Sequence, residues 1–468
     1  MSAEHEPIVT QSITDTSVNW PTWEQIVRVL SMEDYNTRVV IIGAVLLGIA
    51  AGVIGTFMLL RKRALMGDAI SHATLPGIGV AFLIMTAYGG SGRDLFGLLL
   101  GAAVFGTLGM VSVLVIRTHT RLKEDAALGI VLSVFFGLGI AILGIIQQLT
   151  QGHAAGLESF VYGKTASMLA RDAYLIAAVA ATVTVFCSIF YKEFSLLCFD
   201  QEYAGSRGWS VPGLDVLMMA LVVLVTVIGL QAVGLILMIA LLIIPPAAAR
   251  FWTHHLARMI LLSAFIGGLS CYFGATLSAL LPRLPAGAII VVVAGILFLA
   301  SMIFGSARGM LRRWVEHIQL TRRVAWQHLL RALYEWNEVN CSDGEKLSPN
   351  ALSVPISLQD LLAARSWSSR SLGHVLRRAE KQDLVRWVPG GLVQLTEEGF
   401  HRARRVVRNH RLWETYLITH ADIAPVHVDR NADLIEHVLG RSMVARLEAL
   451  LSKDYPELTV LPSPHVMK

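Results

Sequence analysis

Two ionisable side chains stand where few are tolerated. Asp68 and His72 open a long apolar run, Asp68-Ala-Ile-Ser71-His72-Ala-Thr-Leu-Pro76-Gly77. Four residues apart, they share one face if this run is helical. Ionisable groups in a membrane helix are costly and usually line a pathway, and a carboxylate beside an imidazole suits a divalent transition metal. The plainer alternative is an interfacial acid at a helix start with a polar neighbour. Further ligand types gather near the other end of the chain. His410 and Glu414 are one helical turn apart, and Asp433, Glu436 and His437 fall at i, i+3 and i+4. Imidazole and carboxylate without thiolate fit Mn(II), Fe(II) or Zn(II), but on spacing alone a Glu-His pair is more often a solvated surface.

The elements that must hold these groups differ sharply along the chain. With 468 residues, 54% hydrophobic, 16% charged and a mean hydropathy of +0.58, the chain is too apolar for a soluble protein of this size. Apolar runs occupy roughly 39–60, 69–88, 95–116, 124–147, 172–190, 214–231, 233–251, 258–281 and 287–304. Most are near the length that crosses a bilayer's hydrocarbon core. Residues 1–38 are polar, with Glu4 and Glu6 and no apolar core, so they do not read as a cleavable signal. Within them Trp20–Leu30 is amphipathic and suited to a membrane surface. From about Gly309 the chain is rich in Arg and Glu and reads as a soluble domain. The net charge of +5, with arginines crowding the last third, is compatible with a polyanionic partner. Cys187, Cys198, Cys271 and Cys341 are scattered without paired spacing and suggest neither a disulfide framework nor a zinc ribbon.

Loop cations set the orientation. Arg61, Lys62 and Arg63 follow the first run, Arg117, Arg121 and Lys123 the third, Lys192 and Arg207 the fifth, Arg250 and Arg258 the seventh, and Arg308, Arg312 and Arg313 the ninth. Loops of the other parity hold only Arg93, Lys164, Arg171 and Arg283. The bias predicts the N-terminus outside and the C-terminal domain in the cytoplasm. Gly48-x-x-x-Gly52 has the small-residue spacing of closely packed helices and is read as packing. Gly163-Lys164-Thr165 resembles the end of a phosphate loop, but Glu158 stands where that loop needs a glycine, so no ATP is expected to bind this chain.

In the soluble part, Val324, Leu329, Leu330, Leu333 and Trp336 fall near one helical face. Next come Leu358–Ala364, a turn near Ser366–Ser369, and a basic segment through Arg377, Arg378 and Lys381, which is helix-turn-helix order. Leu384–Val388 and Gly391–Thr396, around Pro389-Gly390, predict a two-stranded wing. Ser368, Ser369 and Arg370 at the entry of the basic helix would meet base edges, and Arg377, Arg378 and Lys381 phosphates. A winged helix used only for protein contacts is the alternative.

The run Asp68–Gly77 resembles the signature of the ABC-type manganese/zinc/iron permease family. Lys123–Ile130, Gly234–Leu237, Ile244–Ala248 and Leu284–Ile290 continue the resemblance in the family's order across residues 39–305. The resemblance implies that Asp68 and His72 form the metal site in the membrane. It implies that Phe199-Asp200-Gln-Glu-Tyr203-Ala204-Gly-Ser-Arg-Gly208, a cytoplasmic loop by the charge bias, docks into a separate ATPase subunit. It also implies import, with a second permease copy or paralogue and an extracytoplasmic metal-binding protein. Residues 324–451 resemble the diphtheria-toxin-repressor-like family of metal-dependent DNA-binding regulators, through Arg404–Leu417, Val426-His427 and Asp433–Leu439. That resemblance implies metal ligation by His410, Glu414, Glu436 and His437, with His427 and Asp433 as weaker matches. Ala325 and His328 stand where that family's first helix supplies an acidic ligand.

The expected architecture is an all-α polytopic membrane protein with about nine transmembrane helices, N-out and C-in, followed by a cytoplasmic winged-helix α+β domain. Expected boundaries are an N-terminal segment 1–38, a permease 39–305, a linker 306–323, a winged helix 324–396, a helical metal and dimerisation region 397–451 and a tail 452–468. The expected function is the permease subunit of an importer for Mn, Zn or Fe in the plasma membrane, not itself an enzyme. The metal is its substrate and a regulatory effector, and duplex DNA is a partner of the fused domain. Two readings stay open beside it: a membrane-anchored metal sensor that no longer transports, and a C-terminal domain that binds metal to gate transport without DNA.

Overall fold

Every long apolar run becomes a helix, because a chain with no water to bond its backbone must satisfy each N–H and C=O internally. The computed structural model describes residues 22–89, 94–148, 168–281, 285–340, 354–364 and 367–420. They form two compact units, Met1–Arg313 and Trp314–Lys468.

In the first unit, α1 (Trp23–Leu30) is a short amphipathic helix whose N-cap Thr22 and Gln25 form a reciprocal capping box. The apolar helices are α2 (Tyr35–Leu60), α3 (Met66–Ala87), α4 (Leu95–His119), α5 (Glu124–Gln148), α6 (Ala170–Ile189), α9 (Val211–Val233), α10 (Leu235–Ala249), α11 (Leu256–Leu280) and α12 (Ala286–Phe304). Two short helices, α7 (Tyr191–Phe199) and α8 (Gln201–Ser206), lie between α6 and α9. Among the described residues eight helices are long and apolar enough to span a membrane. The expected seventh span is the exception. It folds as the 15-residue α10, about 22 Å long and shorter than a hydrocarbon core. Gly234 sets its start: with φ +85° it breaks the helix between α9 and α10, a backbone state glycine adopts without steric cost.

The core runs along α2, which packs on α6, α10 and α11, while α3 packs on α4 and α5. Gly48 and Gly52 do act in packing. A Cβ on Gly48 would stand 2.5 Å from Gly267 O, and one on Gly52 2.6 Å from Ser263 O. The Ser263 hydroxyl donates to Gly52 O at 2.8 Å across the same crossing. Gly77 and Gly101 do likewise for α3 and α4, where a Cβ on Gly77 would lie 2.2 Å from Gly101 O.

In the second unit, α13 (Met310–Asn340) begins before the division between the units, so most of the expected linker is helical. Then come β1 (Ile356–Ser357), α14 (Leu358–Ala364), α15 (Ser369–Lys381), β2 (Val385–Val388), β3 (Leu392–Leu395) and α16 (Glu397–His420). The sheet order is β1-β3-β2, all antiparallel, with Ile356 opposite Val393 and Trp387 also opposite Val393. Leu329, Leu330 and Leu333 from α13 meet Leu361, Leu372, Leu376, Val393 and Phe400 in one core. This is the predicted winged helix. Its wing turns through Gly390 and Gly391, at φ +94° and +74°.

Candidate metal centre

Helix α3 starts directly after the turn at Arg61–Arg63, and Asp68 lies in its first turn, where the helix dipole favours an acid. One turn on, His72 Nε2 stands 3.3 Å from Asp68 Oδ1, with the two side chains 18% and 26% exposed. The His72 ring sits edge-on to Phe136 of α5, centroids 4.8 Å apart. Its Nδ1 is buried and has no hydrogen-bond partner, an arrangement that burial normally penalises. The neighbouring Ser71 and Thr74 hydroxyls are satisfied within α3, by Gly67 O and Ser71 O, each at 2.7 Å. The chain thus brings together one carboxylate and one imidazole, the donor types of a borderline divalent ion. Among the described residues no group of three or more His, Cys, Asp or Glu assembles, so here the protein brings together two donors of these types and no more.

A buried ion network lies at the same end of the bundle, and its acids escaped the sequence reading. Arg61 Nη2 and Arg63 Nη1 both donate to Asp215 Oδ1 of α9, at 2.9 and 2.5 Å. Arg63 Nε also pairs with Glu124 of α5 at 2.5 Å. The signal was present, since Asp215 is the one acid in the α9 run, but at a run's start it reads as interfacial.

The candidate ATPase-docking segment folds as a capped helix. Asp200 Oδ1 accepts from the Tyr203 N–H at 2.9 Å to start α8, and Gly208 at φ +83° ends the turn after it. Phe199 and Tyr203 are exposed while Ala204 is fully buried, which presents two aromatic side chains outward.

In the second unit the recognition-helix candidates Ser368, Ser369, Arg370, Arg377, Arg378 and Lys381 are all exposed on or at the start of α15. Its Leu372, Leu376 and Ala379 face the core. Ser368 caps the helix, its Oγ accepting from the Ser371 N–H at 3.2 Å. His410 and Glu414 on α16 are nearly fully buried, with Nε2 3.1 Å from Glu414 Oε1. Arg331 Nη1 donates to His410 Nδ1 at 3.1 Å. A guanidinium only donates, so Nδ1 accepts and Nε2 carries the proton toward Glu414. His410 Nδ1 is therefore hydrogen-bonded to Arg331 within the protein, while Nε2 faces the Glu414 carboxylate. Beside them Arg411 forms a bidentate pair with Glu338. Burial alone would lower the Arg411 pKa, but the hydrogen bond and charge of Glu338 leave it raised. His427, Asp433, Glu436 and His437 lie outside the described residues.

Residues 33–305 match the model of the ABC 3 transport family. The chain belongs to that family. Residues 396–457 match a second family, the iron dependent repressor metal-binding and dimerisation domain, so the ABC 3 permease carries a fused metal-dependent regulator domain. The manganese transport system membrane protein MntC of Bacillus subtilis is 36% identical over 402 residues, covering 86% of this chain and 88% of that protein. The zinc transport system membrane protein TroC of Treponema pallidum is 41% identical over 278 residues, covering 59% of this chain and 92% of that protein. Among solved structures, PsaBC of Streptococcus pneumoniae in complex with Fab matches with a TM-score of 0.53 at 32% identity, over 62% of this chain and 98% of that one. The ABC 3 match covers the helices that hold Asp68 and His72.

Proposed function

We propose that this chain is the permease subunit of an ABC importer for a divalent transition metal, manganese or zinc before iron. The observation that carries the reading is the Asp68–His72 pair at 3.3 Å, with the Nδ1 of His72 buried and unpartnered. The relatives named for manganese and zinc transport support the substrate class. Two side-chain ligands leave the ion short of donors, and a second permease copy or paralogue completes the transmembrane assembly. Water and backbone oxygens complete the sphere. An extracytoplasmic binding protein delivers the ion, and a separate ATPase docked on Phe199, Asp200, Tyr203, Ala204 and Gly208 drives alternating access.

The odd-loop cation bias supports a plasma-membrane orientation with the second unit in the cytoplasm. There α15 offers Ser368, Ser369 and Arg370 to base edges and Arg377, Arg378 and Lys381 to phosphates of duplex DNA. His410 and Glu414, with His427, Asp433, Glu436 and His437, form the regulatory metal site. Metal uptake by cells carrying Asp68→Ala or His72→Ala tests the transport reading: wild-type uptake in either variant contradicts it.

A further inference from the structure

A five-residue ion network at the base of the first unit joins two parts of the molecule that the transport reading needs to communicate. Arg61 lies seven residues before Asp68 and follows α2 directly. Its guanidinium reaches two places at once: Nη1 donates to Leu197 O in the last turn of α7, and Nη2 to Asp215 Oδ1 near the start of α9, both at 2.9 Å. Leu197 and Asp215 bracket the docking segment, Phe199 to Gly208, on either side. One arginine therefore grips both ends of that segment. Two residues on, Arg63 donates to the same carboxylate oxygen and also pairs with Glu124 at the start of α5. Arg117 at the end of α4 closes the network on Glu124 Oε2 at 3.5 Å and Asp215 Oδ2 at 3.9 Å. Lys62 between the two arginines has φ +60°, a left-handed turn that an ordinary residue holds only under constraint from its surroundings.

Burial makes this arrangement stiff. The side chains of Arg61, Arg63 and Asp215 are 4%, 3% and 9% exposed. Charges removed from water are held to their partners, because breaking a buried pair strands a charge. The chain then runs from Arg63 straight into α3, where Asp68 and His72 stand. While these bonds hold, the turn before α3 is tied to α7 and α9 on either side of the docking segment.

We propose that Arg61, Arg63 and Asp215 are positioning residues that transmit movement of the ATPase-docking segment to the helix holding the metal ligands. The inference rests on the transport and docking readings above. They do not touch the ion; they fix where its ligands go when the ATPase moves.

The test uses the complete transporter with its ATPase in proteoliposomes, comparing Asp215→Asn and the milder Arg61→Lys. Lysine keeps the positive charge but lacks the planar fork that reaches two acceptors. Expected for Arg61→Lys are normal membrane insertion, unchanged ATPase co-purification and unchanged half-saturating metal concentration, with metal moved per ATP hydrolysed reduced severalfold. Asp215→Asn should show the same loss, more severely. Unchanged metal per ATP in Arg61→Lys overturns the proposal, as does loss of uptake accompanied by loss of ATPase binding, which would make the network a docking element only. Failure of the underlying readings shows elsewhere: in wild-type uptake by Asp68→Ala, or in ATPase retained by a Phe199→Ala, Tyr203→Ala double variant.

Discussion

Single residues decide most of this protein's chemistry, and the sequence exposes some and hides others. Asp68 and His72 are legible as a candidate pair because ionisable groups in an apolar run are costly, although an interfacial acid at a helix start fits the same residues. Asp215 and Arg331 are not. Asp215 finds its arginines more than 150 residues away, and Arg331 meets His410 across 79 residues. Such pairings are made by tertiary packing, and no local spacing announces them. The Arg411–Glu338 pair gives a direct check. Arg411 is 3% exposed at its side chain, so Glu338→Ala leaves a buried guanidinium short of its partner. Since Glu338 itself is one-third exposed, water softens the loss, and destabilisation of about 1–3 kcal/mol is expected in the second unit's unfolding transition. No change in that transition would remove the pair from the account of the domain's stability.

At the scale of elements, the apolar runs gave the helices of the first unit to within a few residues, since length and hydropathy are local properties. The short α10 was read as an ordinary span because the break at Gly234 depends on a backbone angle that composition does not reveal. The glycines tell a similar story. Gly48 and Gly52 had a recognisable spacing, whereas Gly77 and Gly101 lie on different helices and meet only in the fold. Gly77→Val should force α3 and α4 apart, cost about 1–3 kcal/mol through overpacking, and lower both folded yield and metal uptake. Normal yield and uptake would show that α3 tolerates displacement at this crossing. At α15, Ser368→Ala removes the N-cap acceptor for the Ser371 N–H. It should destabilise the winged helix by about 1 kcal/mol, read as a lower melting temperature of the second unit.

At the scale of the whole molecule, a membrane permease and a winged helix share one chain, whose two compact units divide after Arg313, a few residues from the composition shift near Gly309. The boundary was less legible: residues expected as a linker continue as the helix α13, which the Arg- and Glu-rich composition did not distinguish from a tether. If the second unit reads DNA through α15, the full chain in detergent should bind duplex carrying its own operator, with affinity falling steeply as salt rises because phosphate contacts release counterions. Arg377→Ala and Arg378→Ala should flatten that salt dependence. Binding that is absent at low salt, with and without Mn, Fe or Zn, would leave the domain a protein-contact or gating module.

Metal bound to the purified transporter decides whether Asp68 and His72 hold the transported ion. The complete transporter, trapped without ATP and equilibrated with Mn(II) or Zn(II), should retain metal when wild type. It should lose that metal in Asp68→Ala and in His72→Ala, while both variants stay folded and keep their ATPase. Metal retained at the wild-type level in either variant would contradict the assignment.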